Sequence, residues 1–253
     1  MTASAIEHRR AFLHALQFLT IIPVRLNNDL SPHERGLSLL WYPAVGLLLG
    51  LLLAGLAKFL AGPFYLDAAM VLFAWVLLTG ALHLDGLADC ADALVGGLGD
   101  RERRLELLRD PLCGSMAVVA LVIALVLKLA ALAALAEAKL LTLIWLIPML
   151  ARACVLPLFT TTAYVREGGL GTSLVEDLPR AQIPWALGLA GVIALLALPV
   201  GAWLLLALTL LSLFLLVRSF SRSRLGGFTG DVAGALIELS ELALLLALAW
   251  YLL

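Results

Sequence analysis

Charged residues are scarce in this chain: Asp, Glu, Lys and Arg make up 14% of it, whereas soluble domains carry about 25%. The formal net charge of -1 at pH 7 leaves no basic surplus, so no nucleic-acid partner is expected. The three cysteines lack the spacing of a disulfide framework or a zinc site, and we interpret them as small packing residues. Hydrophobic residues make up 63% of the chain and the mean hydropathy is +1.05, which predicts an integral membrane protein.

Long apolar runs indicate the fold class. A helix needs about 20 mostly apolar residues to cross a bilayer, and the chain has room for seven such spans. We therefore predict an all-α, polytopic membrane helix bundle, a single domain over residues 1–253 with the bundle in 36–253. Residues 181–217 are too long a run for one span, and Pro199 and Gly201 predict a hairpin within it. The predicted spans are Gly36–Ala57, Ala68–Leu84, Gly114–Leu135, Leu140–Thr162, the two halves of Ala181–Val217, and Val232–Leu253.

Residues 1–35 are predicted to form an N-terminal interfacial segment. Arg9 and Arg10 precede an apolar stretch that His14 and Gln17 interrupt, which favours an amphipathic helix at the membrane surface over a removable signal. Arginines gather in alternate loops. The positive-inside rule then predicts a cytoplasmic N-terminus and an active site at the cytoplasmic face.

The second predicted span ends in an acidic segment, TGALHLDGLADCADALVGG, at residues 79–97. On a helix, Asp85, Asp89 and Asp92 share one face at positions i, i+4 and i+7. Because these like charges repel one another, the spacing predicts a bound cation, and oxygen-only ligands favour Mg²⁺. His83 lies about 200° around the helix from Asp85, so it is a poor ligand for the same ion. The alternative is a solvated helix start, where acids favour the helix dipole.

A basic segment, GDRERRLELLRDPLCG, follows at residues 99–114. Its first three arginines, at 101, 103 and 104, are either phosphate ligands or topological anchors of a cytoplasmic loop. Arg109 and Asp110 are stronger candidates. They directly precede a proline and a membrane helix, where a turn would hold them beside the bilayer.

A glycine-rich loop runs into the last predicted span as RLGGFTGDVAGALIELSE, residues 224–241. Such a loop followed by a helix N-terminus can hold phosphate. Asp231 and Glu238 lie seven residues apart and would enter the membrane together, which is costly without partners. Arg152, within the fourth predicted span, is a functional candidate expected within reach of the aspartates. Lys128 is expected to extend its amine to the outer membrane surface.

Five strings together resemble the bacterial cobalamin synthase family, the adenosylcobinamide-GDP ribazoletransferases. They are QFLTIIPV, YPAVGLLLG, TGALHLDGLADCADAL, RLELLRDPLCG and LGGFTGDVAGALIELSE, and they run from about Phe18 to Glu241. The resemblance implies a multi-pass enzyme of the bacterial cytoplasmic (inner) membrane that uses Mg²⁺. It further implies that adenosylcobinamide-GDP is joined to α-ribazole or its 5′-phosphate with release of GMP, a late step of vitamin B12 assembly.

The family's motifs align with specific residues of this chain. The aligned residues are His83, Asp85, Asp89 and Asp92, then Arg109, Asp110 and Gly114, then Gly226, Gly227, Thr229, Gly230 and Asp231. We assign Mg²⁺ to Asp85, Asp89 and Asp92, add Asp110 to these as catalytic, and assign phosphate or substrate binding to His83, Arg109, Arg152 and the last motif. Many relatives carry a serine and an arginine after the aspartate of the second motif, where this chain has Pro111, Leu112 and Cys113. Phosphate contact there is therefore assigned to Arg109.

Two other functions are consistent with parts of the sequence. The string DGLAD resembles part of the signature of CDP-alcohol phosphotransferases, which would make a lipid head group, but the rest of that signature does not align. A cation transporter would also place acids near spans. The acids here gather at one predicted edge instead of the bilayer midplane, which favours catalysis. The number of subunits is left open.

Overall fold

The computed structural model describes residues 3–26, 30–166 and 170–252. Within these residues the chain forms twelve α-helices and no β-strand, which confirms the predicted all-α fold. Leu253, the last residue of the final predicted span, lies outside the described residues. The helices are α1 Ala3–Leu19, α2 Pro32–Ser38, α3 Tyr42–Phe59, α4 Phe64–Thr79, α5 Leu82–Gly96, α6 Arg101–Leu107, α7 Ser115–Glu137, α8 Leu146–Thr161, α9 Leu170–Glu176, α10 Ile183–Ala197, α11 Val200–Leu225 and α12 Gly230–Leu252.

The number of helices that can cross a membrane agrees with the prediction of about seven. Six helical runs in the described residues are long and apolar enough, and the bent pair α4 and α5 makes a seventh if it counts as one span. The predicted hairpin lies between α10 and α11, with Pro199 preceding the first residue of α11. The run Pro32–Phe59 passes through the predicted boundary at residues 35 and 36.

The predicted span Ala68–Leu84 is not one straight helix. The chain bends by 85° between α4 and α5, because Gly80 and Ala81 both adopt the left-handed conformation, with φ of 59° and 57°. Positive φ is unusual for alanine and is sterically unfavourable. The bend turns the acidic segment away from the axis of α4, so His83 and Leu84 belong to α5.

The last helix, α12, forms the centre of the bundle. It packs against α5, α7, α8 and α11. Most residues of α8 and α12 are buried, whereas most of α10 and α11 face outward with large apolar side chains. Helices α10 and α11 therefore face lipid, and α12 connects the interior to the end of the bundle that carries the acidic segment.

Four charged side chains pair inside this core, on α7, α8 and α12. The Lys128 ammonium lies 2.6 Å from a Glu238 carboxylate oxygen and 2.8 Å from one of Glu241. Arg152 is fully buried and donates to Glu241 at 2.8 Å. The expectation that Lys128 extends to the surface is therefore wrong, because its amine is neutralised within the bundle. These ion pairs also supply the partner that Glu238 requires in the membrane.

Candidate active site

One cavity, of about 680 Å³, lies where α5, α8, the segment after α8, and α12 converge. One side of it is polar and the other is apolar and aromatic. The polar lining consists of His83, Asp85, Arg109, Tyr164, Arg166 and Asp231. The apolar lining includes Phe18, Tyr42, Val155, Phe159, Leu174 and Ile237. A charged rim beside an apolar wall suits a ligand that has both an anionic and a planar apolar part.

Two helices cross closely at this cavity. A Cβ atom placed on Gly86 of α5 would lie 2.7 Å from the backbone oxygen of Asp231 on α12, so only glycine permits this approach. Asp85 precedes the crossing point on α5, and the closeness of the two backbones brings it to the same cavity as Asp231. The glycine is therefore what joins two aspartates that are far apart in sequence.

Asp231 is held at the start of α12 by two neighbours. Arg166 donates to its two carboxylate oxygens at 3.1 and 3.3 Å, and the Thr229 hydroxyl donates to one of them at 3.1 Å. Backbone hydrogen bonds between 163–165 and Phe228 fix this arrangement, with Val165 donating to Phe228 at 3.0 Å. The Arg166–Asp231 pair is partly exposed to the cavity, so an anionic ligand can reach the guanidinium.

Asp85 and Asp89 differ from Asp231 in having free carboxylates. Asp85 is exposed and Asp89, one turn further along α5, is half-buried. Among the described residues, no side chain or backbone group donates a hydrogen bond to either carboxylate. Both lie within electrostatic range of each other and of Asp231. Three carboxylates thus concentrate negative charge that Arg109 and Arg166 only partly offset.

Tyr164 adds a hydroxyl donor to the polar side. Burial raises the pKa of its phenol, so the group stays protonated over the physiological range. Its ring also contacts Phe228 edge-on, with ring centroids 5.3 Å apart. The hydroxyl is therefore a neutral donor beside two charged arginines.

The family model and the similar proteins of known name agree on one family. The family described as cobalamin-5-phosphate synthase matches residues 11–249. The chain belongs to this family. An adenosylcobinamide-GDP ribazoletransferase of Pseudomonas paraeruginosa is 52% identical over 96% of this chain and 99% of its own. The proteins of that name from Ectopseudomonas mendocina and Pseudomonas fluorescens are 55% and 48% identical, over 93% and 94% of this chain and 96% and 98% of their own. No solved structure matches the chain.

The first motif of the cobalamin-5-phosphate synthase family divides between two places. His83 and Asp85 line the cavity, whereas the carboxylate of Asp92 accepts from the backbone N–H groups of Gly114 at 2.5 Å and Ala117 at 2.9 Å. Asp92 therefore caps the N-terminus of α7. Among the residues described, no group of three or more His, Cys, Asp or Glu side chains is arranged to hold a metal ion. The three-aspartate metal site is thus not formed by the protein alone.

The second motif contributes one side chain to the cavity. Arg109 lines it, while Asp110 is exposed and accepts from the backbone N–H of Leu112 at 3.0 Å, closing the turn around the proline. Gly114 packs against Asp92, since a Cβ there would lie 2.6 Å from its carboxylate. The motif thus forms the turn at Pro111 and the contact of Gly114 with Asp92, and these two features position Arg109.

In the third motif, Gly230 and Asp231 line the cavity. Gly226 ends α11 with a φ of 76°, and Gly227 packs against the backbone of Ala163. The Thr229 side chain is buried and bonded to Asp231. These three residues hold the loop, and they do not line the cavity.

Arg152 lies outside the cavity, contrary to the expectation that it reaches the aspartates. Its Nη1 donates to Glu241 and to the backbone oxygen of Pro148, at 2.8 and 3.1 Å. Arg166 lies beside Asp231 in the cavity, where Arg152 was expected. The sequence signal for Arg166 was weak, because a single arginine in a loop fits the positive-inside rule and its partner Asp231 lies 65 residues away. Tyr164 and the aromatic residues of the apolar wall were also missed.

Proposed function

We propose that this chain joins adenosylcobinamide-GDP to α-ribazole or its 5′-phosphate and releases GMP. Its relatives carry the name adenosylcobinamide-GDP ribazoletransferase. The observation that carries the proposal is the cavity in which Arg109 and Arg166 face Asp85 and Asp231 beside an apolar aromatic wall. A diphosphate linkage and a planar base are the two chemical parts that such a cavity suits.

Binding of the diphosphate is assigned to the two arginines. Guanidinium groups match phosphate oxygens in charge and in geometry. Arg109 has no acceptor among the described residues, and Arg166 contacts Asp231. A phosphate oxygen would compete with Asp231 for Arg166, so substrate binding would release this carboxylate. Tyr164, kept protonated by burial, would donate a further hydrogen bond to the phosphate.

Mg²⁺ is proposed as the cofactor, held by Asp85 and Asp89. Mg²⁺ in proteins commonly takes one or two carboxylates and completes its shell with water and substrate phosphate. Two unbonded carboxylates one helical turn apart fit this donor set, and Asp92 is not needed. When bound, the ion would neutralise charge on the diphosphate.

The reaction itself requires one proton transfer. A ribose hydroxyl oxygen of the ribazole, other than the 5′-oxygen that carries phosphate in the 5′-phosphate substrate, bonds to the phosphorus attached to cobinamide. The bond from that phosphorus to the GMP oxygen breaks, and the hydroxyl proton passes to a carboxylate. The sequence analysis assigned Asp92 and Asp110 as catalytic, but both accept backbone hydrogen bonds away from the cavity. Asp231, once released from Arg166, is the better placed acceptor.

The aromatic wall suits the base of α-ribazole. Phe18 and Tyr42 stack with ring centroids 6.3 Å apart, and Phe159 lies on the same apolar side of the cavity. A planar, weakly polar ring would gain by stacking there. The much larger corrinoid would then lie outside the cavity, along the cytoplasmic surface of the inner membrane, which is where we place the site.

The test is an assay of the purified protein with adenosylcobinamide-GDP, α-ribazole 5′-phosphate and Mg²⁺. GMP release that needs both organic substrates and stops with EDTA is the expected result. Restoration by added Mg²⁺ would support the cofactor. Release of CMP from CDP-diacylglycerol instead would overturn the proposal in favour of a lipid head-group transferase, and the absence of any transfer would overturn both.

A further inference from the structure

A second cavity lies on the side of α5 and α12 opposite the candidate active site. This groove has a volume of about 570 Å³ and runs between α5, α6, α11 and α12. Its floor is apolar, formed by residues that include Leu87, Leu108, Val232 and Leu239. Its outer wall is α11, which presents Leu216 and Phe220 to the surroundings, 68% and 39% exposed. The groove therefore opens on the side where the bundle meets lipid.

One end of the groove is basic. Arg104 of α6 and Arg224 of α11 both line it, and the Arg224 guanidinium lies over the Phe220 ring, 5.8 Å from its centroid. Arg218 and Arg222 lie further along the same end of α11. No carboxylate is among the described residues that line the groove. The charge at this end is thus positive and not offset within the groove.

Arg104 is unusual because it is almost completely buried, with 5% exposure, in an apolar wall. One of its terminal nitrogens donates to the backbone oxygen of Arg224 at 3.3 Å. Its Nε has no acceptor among the described residues. A buried guanidinium without a carboxylate is costly, so an anionic ligand at this position would stabilise it.

We propose that the groove binds one anionic phospholipid of the surrounding membrane, with its phosphate at Arg104 and Arg224 and an acyl chain along the apolar floor. A free phosphate would use only the basic end and leave the floor uncovered. A lipid fits both parts, and the groove opens beside α11, a candidate membrane span. The positive-inside rule places the basic end in the cytoplasmic leaflet, where anionic lipids interact with arginines.

The lipid would touch the helices that carry the candidate active site. Leu87 and Cys90 of α5 line the groove; Leu87 lies between Asp85 and Asp89 in the sequence, and Cys90 directly follows Asp89. Val232 of α12 also lines it, next to Asp231. A bound acyl chain would therefore support the back of the α5–α12 crossing. Activity would then depend on a lipid of the surrounding membrane. The lipid site does not depend on which substrates the candidate active site binds.

The selectivity should come from the head group. An acyl chain is already in an apolar environment in the bilayer, so moving it into the groove gains little. Each arginine near the head group is expected to favour an anionic lipid by roughly fivefold. With two arginines we expect phosphatidylglycerol to be preferred over phosphatidylcholine by about 10- to 30-fold.

The experiment is native mass spectrometry of the full chain released from mixed micelles with equal amounts of phosphatidylglycerol and phosphatidylcholine. One retained phosphatidylglycerol per chain is expected. Arg224→Gln should lower the preference about fivefold. Arg222→Gln is the matched control, since this exposed arginine of α11 does not line the groove, and it should behave like the wild type.

Three results would overturn the proposal. Equal retention of the two lipids by the wild type would remove the basis for an anionic site. Equal losses in Arg224→Gln and Arg222→Gln would show a general surface charge effect. Full displacement of the lipid by millimolar inorganic phosphate would mean that the site takes a free anion. A second variant, Ala91→Phe, fills the groove without changing charge and should reduce the retention of both lipids.

Discussion

Helix α12 carries acidic residues at two depths, and the two groups differ in how they are neutralised. Deep in the bundle, Glu238 and Glu241 are paired with Lys128 and Arg152 at 2.6–2.8 Å, and all four side chains are buried. At the start of the helix, Asp231 shares a cavity with Asp85 and two arginines. In the part of the chain that the structure describes, the ion pair formed there is the one between Asp231 and Arg166. The charges of the deep residues are balanced by two carboxylates and two cations, whereas those at the start of the helix are only partly paired.

The difference indicates two separate roles. Two anions matched by two cations inside the membrane stabilise the packing of α7, α8 and α12 and leave no charge for a ligand. Unbonded carboxylates at a cavity remain available for an ion or a proton. Carboxylates paired with basic side chains are therefore structural in the middle of α12, and those at its start are assigned to function.

The largest effect on stability is expected from breaking the buried ion pairs of Glu238, Glu241, Lys128 and Arg152. Glu241→Gln leaves Lys128 and Arg152 with a single buried carboxylate, Glu238, and should lower the free energy of unfolding by about 3–5 kcal/mol. Glu106→Gln breaks the exposed pair with Arg103 and is the control, expected to change it by no more than about 1 kcal/mol. Unfolding in mixed micelles measures both, and equal shifts would contradict the structural role.

Removing the charge of Asp85 at the cavity, or of Asp89 one turn further along α5, should affect turnover and not stability. Asp85→Asn and Asp89→Asn are each expected to lower kcat by at least about 100-fold, because each removes a proposed metal ligand. Stability should not change, because neither carboxylate accepts a hydrogen bond from the described residues. GMP release and an unfolding curve on the same preparation separate the two effects. A wild-type rate in either variant would be evidence against its role as a metal ligand.

A smaller effect is expected at Arg166. Arg166→Gln should lower kcat/KM for adenosylcobinamide-GDP by about 10- to 100-fold, since a hydrogen bond to a charged phosphate is lost. Arg218→Gln is the control, because Arg218 donates to Thr161 at 3.0 Å outside the cavity. If both variants lose the same activity, the arginine does not bind substrate directly.

The smallest effect is expected at Asp92. Asp92→Ala removes the carboxylate of α5 that accepts from the backbone N–H groups of Gly114 and Ala117 and should cost about 1 kcal/mol of stability. Asp92→Asn keeps one acceptor oxygen and should recover part of it. Activity per folded molecule is expected to stay within a few-fold of the wild type. Loss of activity as severe as in Asp85→Asn, at unchanged stability, would return Asp92 to the metal site that its spacing predicts.

Local patterns in the sequence predicted much of the fold. Apolar runs indicated the spans, and the placing of Asp85 and Asp89 on one face of α5 follows from helix periodicity alone. The bend at Gly80 and Ala81 was missed because alanine rarely adopts positive φ. Periodicity also predicted Asp92 on the same face. Its carboxylate instead accepts hydrogen bonds from free backbone N–H groups at the start of α7.

Contacts between distant segments could not be predicted in this way. Lys128 and Glu241 are 113 residues apart, and a lone lysine in an apolar span is most simply expected to extend its amine to the membrane surface. Arg166 meets Asp231 because backbone hydrogen bonds join residues 163–165 to Phe228, and neither segment has the pattern of a strand. These pairings depend on how helices pack, which a single sequence does not specify.

The most direct test of the account is Mn²⁺ binding by electron paramagnetic resonance, with Mn²⁺ replacing Mg²⁺ and adenosylcobinamide-GDP present without α-ribazole. We expect the wild type and Asp92→Ala to bind the ion with similar affinity, and Asp85→Asn and Asp89→Asn to lose binding by at least tenfold. Unchanged binding in Asp85→Asn and Asp89→Asn, or loss of binding in Asp92→Ala alone, would contradict the assignment of the metal to the unbonded carboxylates.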